Sequence, residues 1–313
     1  MTAPAPHSDS APLLSIGIPT RNRSRYLLES LGALADQILE LGPNRASLVS
    51  LHVSDNTSTD DTPAVIQSIA ARFPRLTSHR HPENVGASRN VNSCVRAATG
   101  RFCWIVGDDE IICPGAVRHL VELLSRDDAP SLVLCFETNY DPQLPRPHRF
   151  PSYREYVAAC ARTNPHALIE HTLVTSNVFR TALFDQKVAV ETLATDYSHM
   201  YAMLSGLIAA GGGSVHVTDQ PVITVRDRRA PAVDGVWPTD LESSWRAYLQ
   251  WQRDRFDVPS LQPEAAIEMV RRKLMHKLTR QPLRYLANNL HALKDPKAWG
   301  WFLKRLKKHL LGS

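Results

Sequence analysis

The chain lacks most of the devices that would tie it together covalently or anchor it in a bilayer. Among 313 residues there are five cysteines (Cys94, Cys103, Cys113, Cys135 and Cys160), an odd number with no Cys-x-x-Cys spacing. That spacing argues against a zinc ribbon or a redox dithiol and for buried free thiols in a reducing compartment. No uninterrupted apolar run approaches the roughly 20 residues of a membrane-spanning helix; Tyr201 to Gly213 is too short and too glycine-rich. The opening Met1 to Pro12 is rich in Ala, Pro and Ser without a basic start and an apolar core, so it reads as a flexible tail and not a signal peptide. Internal repeats and low-complexity tracts are missing as well. What remains, at 43% hydrophobic and 21% charged residues, is an ordinary globular composition.

The charge is unevenly placed. Residues 271–313 carry a net +11 and residues 1–270 a net −6. A mildly acidic body with a basic tail suggests that the tail meets something anionic.

Apolar runs and helical patterns alternate through the first half. Strands are expected at Leu13 to Ile18, Leu48 to Ser54, Leu76 to His81, Phe102 to Val106 and Leu132 to Phe136. Helices are expected from Tyr26 to about Leu41 with Ser24 as N-cap, from Thr59–Thr62 to Phe73, from Ala87 to Ala98, and from Gly115 to Ser125. This alternation implies βαβ units: an α/β fold with a mainly parallel, Rossmann-like sheet and helices on both faces. Further on, Asp141 to Pro151 reads as a proline-rich surface loop, His171 to Val178 as a strand, Leu193 to Ala210 as a helix, and Val215–Val217 with Val222–Val225 as a pair of short strands. A helical C-terminal extension follows from Asp240. The expected division is a tail at 1–12, one α/β domain at 13–235 and a basic helical region at 236–313.

Ligands of such sheets bind at the carboxyl ends of the strands. Three polar clusters fall there: Thr20-Arg21-Asn22-Arg23, Asp55-Asn56 and Asp108-Asp109-Glu110. The last is the sharpest. An apolar strand ends in three carboxylates, which repel one another unless a cation neutralises them. Hard oxygen ligands suit Mg²⁺ or Mn²⁺, held by one or two carboxylates plus substrate phosphates; taken alone, the same triplet is also what a solvated acidic turn looks like.

Four segments in order, L-S-I-G-I-P-T-R-N-R at 14–23, V-S-D-N-T-S-T-D-D-T at 53–62, N-V-G-A-S-R-N at 84–90 and I-V-G-D-D-E at 105–110, resemble family 2 glycosyltransferases with the GT-A nucleotide-sugar fold. The G-D-D-E form and H-T-L-V-T-S-N-V-F-R at 171–180 are similar to bacterial sugar transferases of the abequosyltransferase type. The resemblance implies a nucleoside diphosphate sugar as donor, with UDP the family default, and a divalent metal.

It also implies roles for residues. Pro19, Thr20, Arg21 and Arg23 would meet the nucleotide, with an ordinary solvated loop as the alternative for the arginines. Asp55 and Asn56 would contact the base, although a turn aspartate looks the same in sequence. Asn84, Gly86 and Arg89 match the N-x-G-x-x-R element, where Arg89 reaches base or phosphate or else a surface salt bridge. Asp108 would lie near the ribose and Asp109 would hold the metal; Gly107 stands where the family commonly has a further acid. The family's catalytic base, an acid 80–100 residues beyond the metal motif, corresponds to Asp196, with His199 in reserve. Ser176, Asn177, Tyr153 and Trp237 are weaker candidates for the acceptor side.

The function implied is inverting transfer of a sugar to a glycan or lipid-linked glycan acceptor in bacterial surface polysaccharide synthesis; the alternative is a non-catalytic, membrane-associated nucleotide-sugar-binding subunit. Trp299 to Leu311 interleaves aromatics and cations at near-helical spacing, as an interfacial helix on an anionic membrane does. A helix packed on the domain with a solvated basic face has the same composition. No nucleic-acid module accompanies the basic residues. The expected location is the cytoplasm, at the inner membrane face if the tail docks there.

Overall fold

The computed structural model describes residues 11–137, 148–224 and 241–269. The expectations for residues 1–10, for most of the loop Asp141–Pro151, for Val225 and Trp237, and for the basic tail with Trp299–Leu311 lie outside the described residues.

Among the described residues nine strands form one sheet: β1 (Leu14–Thr20), β2 (Val49–Asp55), β3 (Leu76–Arg80), β4 (Phe102–Ile105), β5 (Ile111–Ile112), β6 (Leu132–Glu137), β7 (Arg149–Phe150), β8 (Asn177–Arg180) and β9 (Val215–Thr224). The order is β3-β2-β1-β4-β8-β6-β9-β5, with β7 also on β9. β1 to β4 are parallel, and β6 and β9 run with them; β8, β5 and β7 run against. The sheet is therefore mixed and mostly parallel. The helices are α1 (Ser24–Leu39), α2 (Pro43–Ala46), α3 (Thr62–Arg72), α4 (Ala87–Ala97), α5 (Ala116–Leu124), α6 (Tyr153–Thr163), α7 (Ala167–Glu170), α8 (Gln186–Glu191), α9 (Ser198–Ala209) and α10 (Leu241–Arg255).

Period-two alternation sorts the strand residues between two cores. Leu14, Ile16 and Ile18 of β1, Val49, Leu51 and Val53 of β2, and Phe102 and Trp104 of β4 pack with Leu27, Leu31, Leu34 and Ile38 of α1. The opposite face joins Cys103, Ile105, Leu132, Leu134, Val215 and Val217 to α4, α6, α9 and α10. On that face β1 carries Ser15 and Gly17 because α4 lies directly on it: a Cβ at Gly17 would sit 2.7 Å from the Cys94 Cβ. All five cysteines are buried and free.

Several expected elements are redrawn. Ser24 is the first residue of α1 and not its cap; its N–H is instead met by Asp60 Oδ2 at 2.9 Å. The helix expected at Leu193–Ala210 starts only at Ser198, after α8 and a turn. Hydroxyls bond the backbone through this turn: Thr192 Oγ1 donates to Val188 O and Thr195 Oγ1 to Thr192 O, both at 2.7 Å, the kind of local bond that competes with helical pairing. The strand expected at His171–Val178 begins only at Asn177. Before it, Thr172 Oγ1 donates to Ile169 O and the Asn177 amide to His171 O and Leu173 O, holding a compact turn. The two short strands expected near the end of the domain are one, β9, with its register irregularity about Pro221. Pro221 lacks the N–H that a regular ladder requires at that position.

Candidate active site

The parallel strands deliver three chain segments to one edge. β1 and β2 finish level, with Thr20 opposite Asp55, and the turn after β4 brings in the acids. Thr20 Oγ1 donates to Asp108 Oδ2 at 2.7 Å. Arg23 Nη1 bonds both acids, Asp108 Oδ1 at 3.1 Å and Asp109 Oδ2 at 2.8 Å. Ser30 Oγ of α1 donates to the Asp108 carbonyl at 2.9 Å, which fixes the backbone of the turn. Residues 85–88 positions apart in sequence thus form one cluster.

The two carboxylates differ. Asp108 is buried, and that burial pushes its pKa from 3.8 up to about 6, against the pull of Arg23 and Thr20. The Asp109 side chain is one-third exposed (34%) and so open to a ligand. Among the described residues no group of three or more His, Cys, Asp or Glu is arranged to hold a metal. The pair nevertheless fits a hard divalent cation, because both carboxylates already converge on a single cationic nitrogen. Such a cation would take its remaining ligands from phosphate oxygens and water.

The loop carrying Arg21 and Arg23 is itself pinned. Asn22 adopts φ +52°, a left-handed conformation Asn tolerates better than most residues. Its N–H donates to Ser58 Oγ at 2.9 Å and its Oδ1 accepts from Thr59 N at 2.7 Å. Pro19 and Arg21 are half-buried beside it.

A second cluster surrounds Asp55. Its Oδ1 accepts from Ser58 N at 2.9 Å, and its Oδ2 lies 3.3 Å from Arg80 Nη1. The sequence offered base contact or turn aspartate; the turn bond is present, with a cation beside it. Asn56 Nδ2 donates to Asn84 Oδ1 at 2.7 Å, and Asn56 Oδ1 accepts from Val85 N. The loop Asn84–Gly86 is thereby held against β2. Gly86 has φ +82°, which an L side chain would strain. Arg89, in the first turn of α4, is exposed and makes no side-chain hydrogen bond or ion pair among the described residues.

Asp196 is exposed in the turn before α9, two residues ahead of the helix. Ser244 Oγ of α10 donates to its Oδ2 at 2.5 Å. The stretch from Thr172 to Ser176 links this turn to the acids. Thr175 Oγ1 accepts from Gly107 N at 2.9 Å, and Thr172 O bonds His199 Nε2 of α9 at 3.0 Å. The link explains Gly107: a Cβ there would meet Glu110 Cγ at 3.1 Å, Asp109 Oδ1 at 3.4 Å and Thr175 Oγ1 at 3.5 Å.

Other expected acceptor-side residues are structural. Burial pushes His199 down to about 4, and the ring's Nε2–H donates to a carbonyl, so that nitrogen is not free to act as a base. Asn177 and Ser176 are buried in the turn. Tyr153 is a core aromatic whose hydroxyl donates to Gln252 at 2.9 Å. Asn22, Ser58, Thr175 and Ser244 were not singled out from sequence. Asn22, Ser58 and Thr175 lie inside the segments that carry the resemblance, at 14–23, 53–62 and 171–180, whereas nothing local marked Ser244.

The sequence profile described as Glycosyl transferase family 2 matches residues 15–183, more than half of the chain. An abequosyltransferase of Salmonella typhimurium is 33% identical over 143 residues, 44% of this chain and 40% of that protein. A GalNAc(5)-diNAcBac-PP-undecaprenol beta-1,3-glucosyltransferase of Campylobacter jejuni is 27% identical over 36% of this chain and 34% of its own length. The chain thus spans well under half of these relatives. Among solved structures, a mannosyltransferase of Pyrobaculum calidifontis in complex with GDP-Man and Mn²⁺ superposes with a TM-score of 0.53 at 15% identity, covering 94% of this chain and 84% of that one. TarS of S. aureus in complex with UDP-GlcNAc gives 0.55 at 18%, covering 77% and 66%. The architecture is the GT-A fold.

Proposed function

Because the chain belongs to glycosyl transferase family 2, we propose that it transfers a sugar from a nucleoside diphosphate sugar to a glycan or lipid-linked glycan acceptor, with inversion at the anomeric carbon. The observation that carries this reading is the convergence of Asp108 and Asp109 on one cation position at the carboxyl ends of parallel strands. The Campylobacter jejuni relative, whose name gives a glycan on undecaprenyl diphosphate, supports the acceptor class.

Asp109, with Asp108 behind it, would hold the divalent metal. When bound, that metal neutralises charge developing on the departing diphosphate. Arg21 and Arg23, in the loop after β1, and Arg89, at the start of α4, would supply cations to the diphosphate. Asp55 and Arg80 lie side by side as an acceptor and a donor, now paired with each other at 3.3 Å; a pyrimidine edge would use both by opening that pair. Asp196 takes the proton from the acceptor hydroxyl as the new C–O bond forms and the bond from the anomeric carbon to the phosphate oxygen breaks. Its exposure leaves it open to an incoming acceptor, and Ser244 holds one of its oxygens.

The experiment is a screen of UDP, CDP, dTDP and GDP for thermal stabilisation with and without Mn²⁺, followed by transfer assays on Asp109→Asn and Asp196→Asn. Both variants should fold and lose transfer by at least about a hundredfold. Full activity in both would refute the assignment. Binding of nucleotide and metal by the wild type with neither hydrolysis nor transfer would favour a binding subunit instead.

A further inference from the structure

Arg23 stands between the two acids read above as a metal site. A single nitrogen, Nη1, bonds both carboxylates. Two neighbouring acids, one of them buried, need a positive charge between them in the ligand-free protein. Arg23 supplies it from a fixed base: it is the N-cap residue of α1 with a non-helical φ of −136°, next to the pinned Asn22. The side chain has room to leave, since it is one-quarter exposed (26%) and its contact with Asp109 lies at the open side of the cluster.

We propose that Arg23 couples metal binding to diphosphate binding: it holds the cation position between Asp108 and Asp109 until an anionic ligand draws it away, so that cation and diphosphate enter together. The inference rests on the reading that these acids take a divalent metal. The physical reason is charge. A metal entering alone must break both Arg23 bonds and leaves a guanidinium beside a doubly charged ion, which repel. A diphosphate reverses the sign of that cost. Its oxygens accept the planar fork of the guanidinium and at the same time ligate the metal. By linkage, the diphosphate must then tighten the metal as much as the metal tightens the diphosphate.

Counting free Mn²⁺ by its electron paramagnetic resonance signal tests this, with UDP and inorganic pyrophosphate as the anions and each anion's own chelation of Mn²⁺ measured without protein and subtracted. Wild type should take up Mn²⁺ weakly alone and about tenfold or more tightly with either anion. Arg23→Gln should bind Mn²⁺ alone more tightly than wild type, and the anion should then add clearly less than it adds in wild type, through direct ligation of the metal only. Arg23→Lys, which keeps the charge and most of the reach, should retain coupling and guards against a folding defect in the Gln variant. A Gln variant that binds Mn²⁺ alone no better than wild type, or keeps the full effect of the anion, overturns the coupling role. Asp109→Asn separates the two layers: unchanged Mn²⁺ uptake there would remove the metal site itself, and Arg23's role with it.

Discussion

At the scale of single residues, Asp108 carries the most consequential physics. Its carboxyl is buried and its pKa is raised from 3.8 to about 6. For a carboxyl raised on folding, the neutral form is the one the fold prefers. The associated stability is fully present below about pH 4, is lost as pH rises through about 6, and above that the ionised group costs on the order of 2–3 kcal/mol. Asp108→Asn, which mimics the neutral carboxyl, should therefore raise the denaturation midpoint at pH 8 and lose that advantage by pH 4. A variant less stable than wild type at pH 8 would mean that the pair with Arg23 outweighs burial. If Asp108 shares the metal with Asp109, as proposed above, cation uptake should show the opposite trend in wild type, falling as pH drops through about 6, because a carboxylate ligand must be ionised. Sequence brought Thr20, Arg23, Asp108 and Asp109 to notice, since strand-end position and residue type suffice to mark them. It did not bring Thr175, which closes the space beside Gly107 from 68 residues away.

Elements show where such long-range bonds decide local structure. One carboxylate, Asp60, serves two helix starts: Oδ1 accepts from Thr62 N at 3.1 Å in α3, and Oδ2 from Ser24 N at 2.9 Å in α1. Loss of a cap costs about 1 kcal/mol, so Asp60→Ala should destabilise by about 1–2 kcal/mol in denaturant titration and loosen the Arg21–Arg23 loop between the two helices. Thr175→Val leaves Gly107 N–H without its acceptor, at a cost of about 1–3 kcal/mol. The same change should weaken Mn²⁺ uptake, whereas a role confined to the core would leave uptake unchanged. The longer strands and helices up to α5 were legible because their hydrophobic periods are uninterrupted; the four-residue α2 and the two-residue β5 are too short to show a period. Between Ala167 and Ser198 the side chains of Thr172, Asn177, Thr192 and Thr195 bond the backbone directly. Periodicity has no term for such bonds, and there the expected strand and helix were misdrawn.

For the molecule as a whole, the open question is where the α/β domain ends, which the sequence placed near residue 235. The described part of the following region packs into the fold. Tyr248, Leu249, Phe256, Val258, Leu261 and Ile267 are buried. Tyr248 meets Tyr197 and Tyr201 with ring centroids 5.5 and 5.6 Å apart, Phe256 meets Tyr153 at 4.8 Å, and Ser244 reaches Asp196. Each large apolar side chain buried this way contributes about 1.5–3 kcal/mol, so together they rival the 5–15 kcal/mol that holds a typical domain folded. A chain ending at residue 240 should therefore fail to melt cooperatively. A chain ending at Met269 keeps these contacts and should melt cooperatively near wild type. It lacks residues 271–313 with their net charge of +11. If that charge serves an anionic membrane, at about 1 kcal/mol per cation near the surface, the shorter chain should lose cosedimentation with phosphatidylserine vesicles. It should keep nucleotide-dependent stabilisation, since the residues proposed for the donor side all precede residue 240. Vesicle binding equal to that of the full chain would assign the basic segment to some other anionic partner. Cooperative melting of the 240-residue chain would place the domain boundary where the sequence drew it.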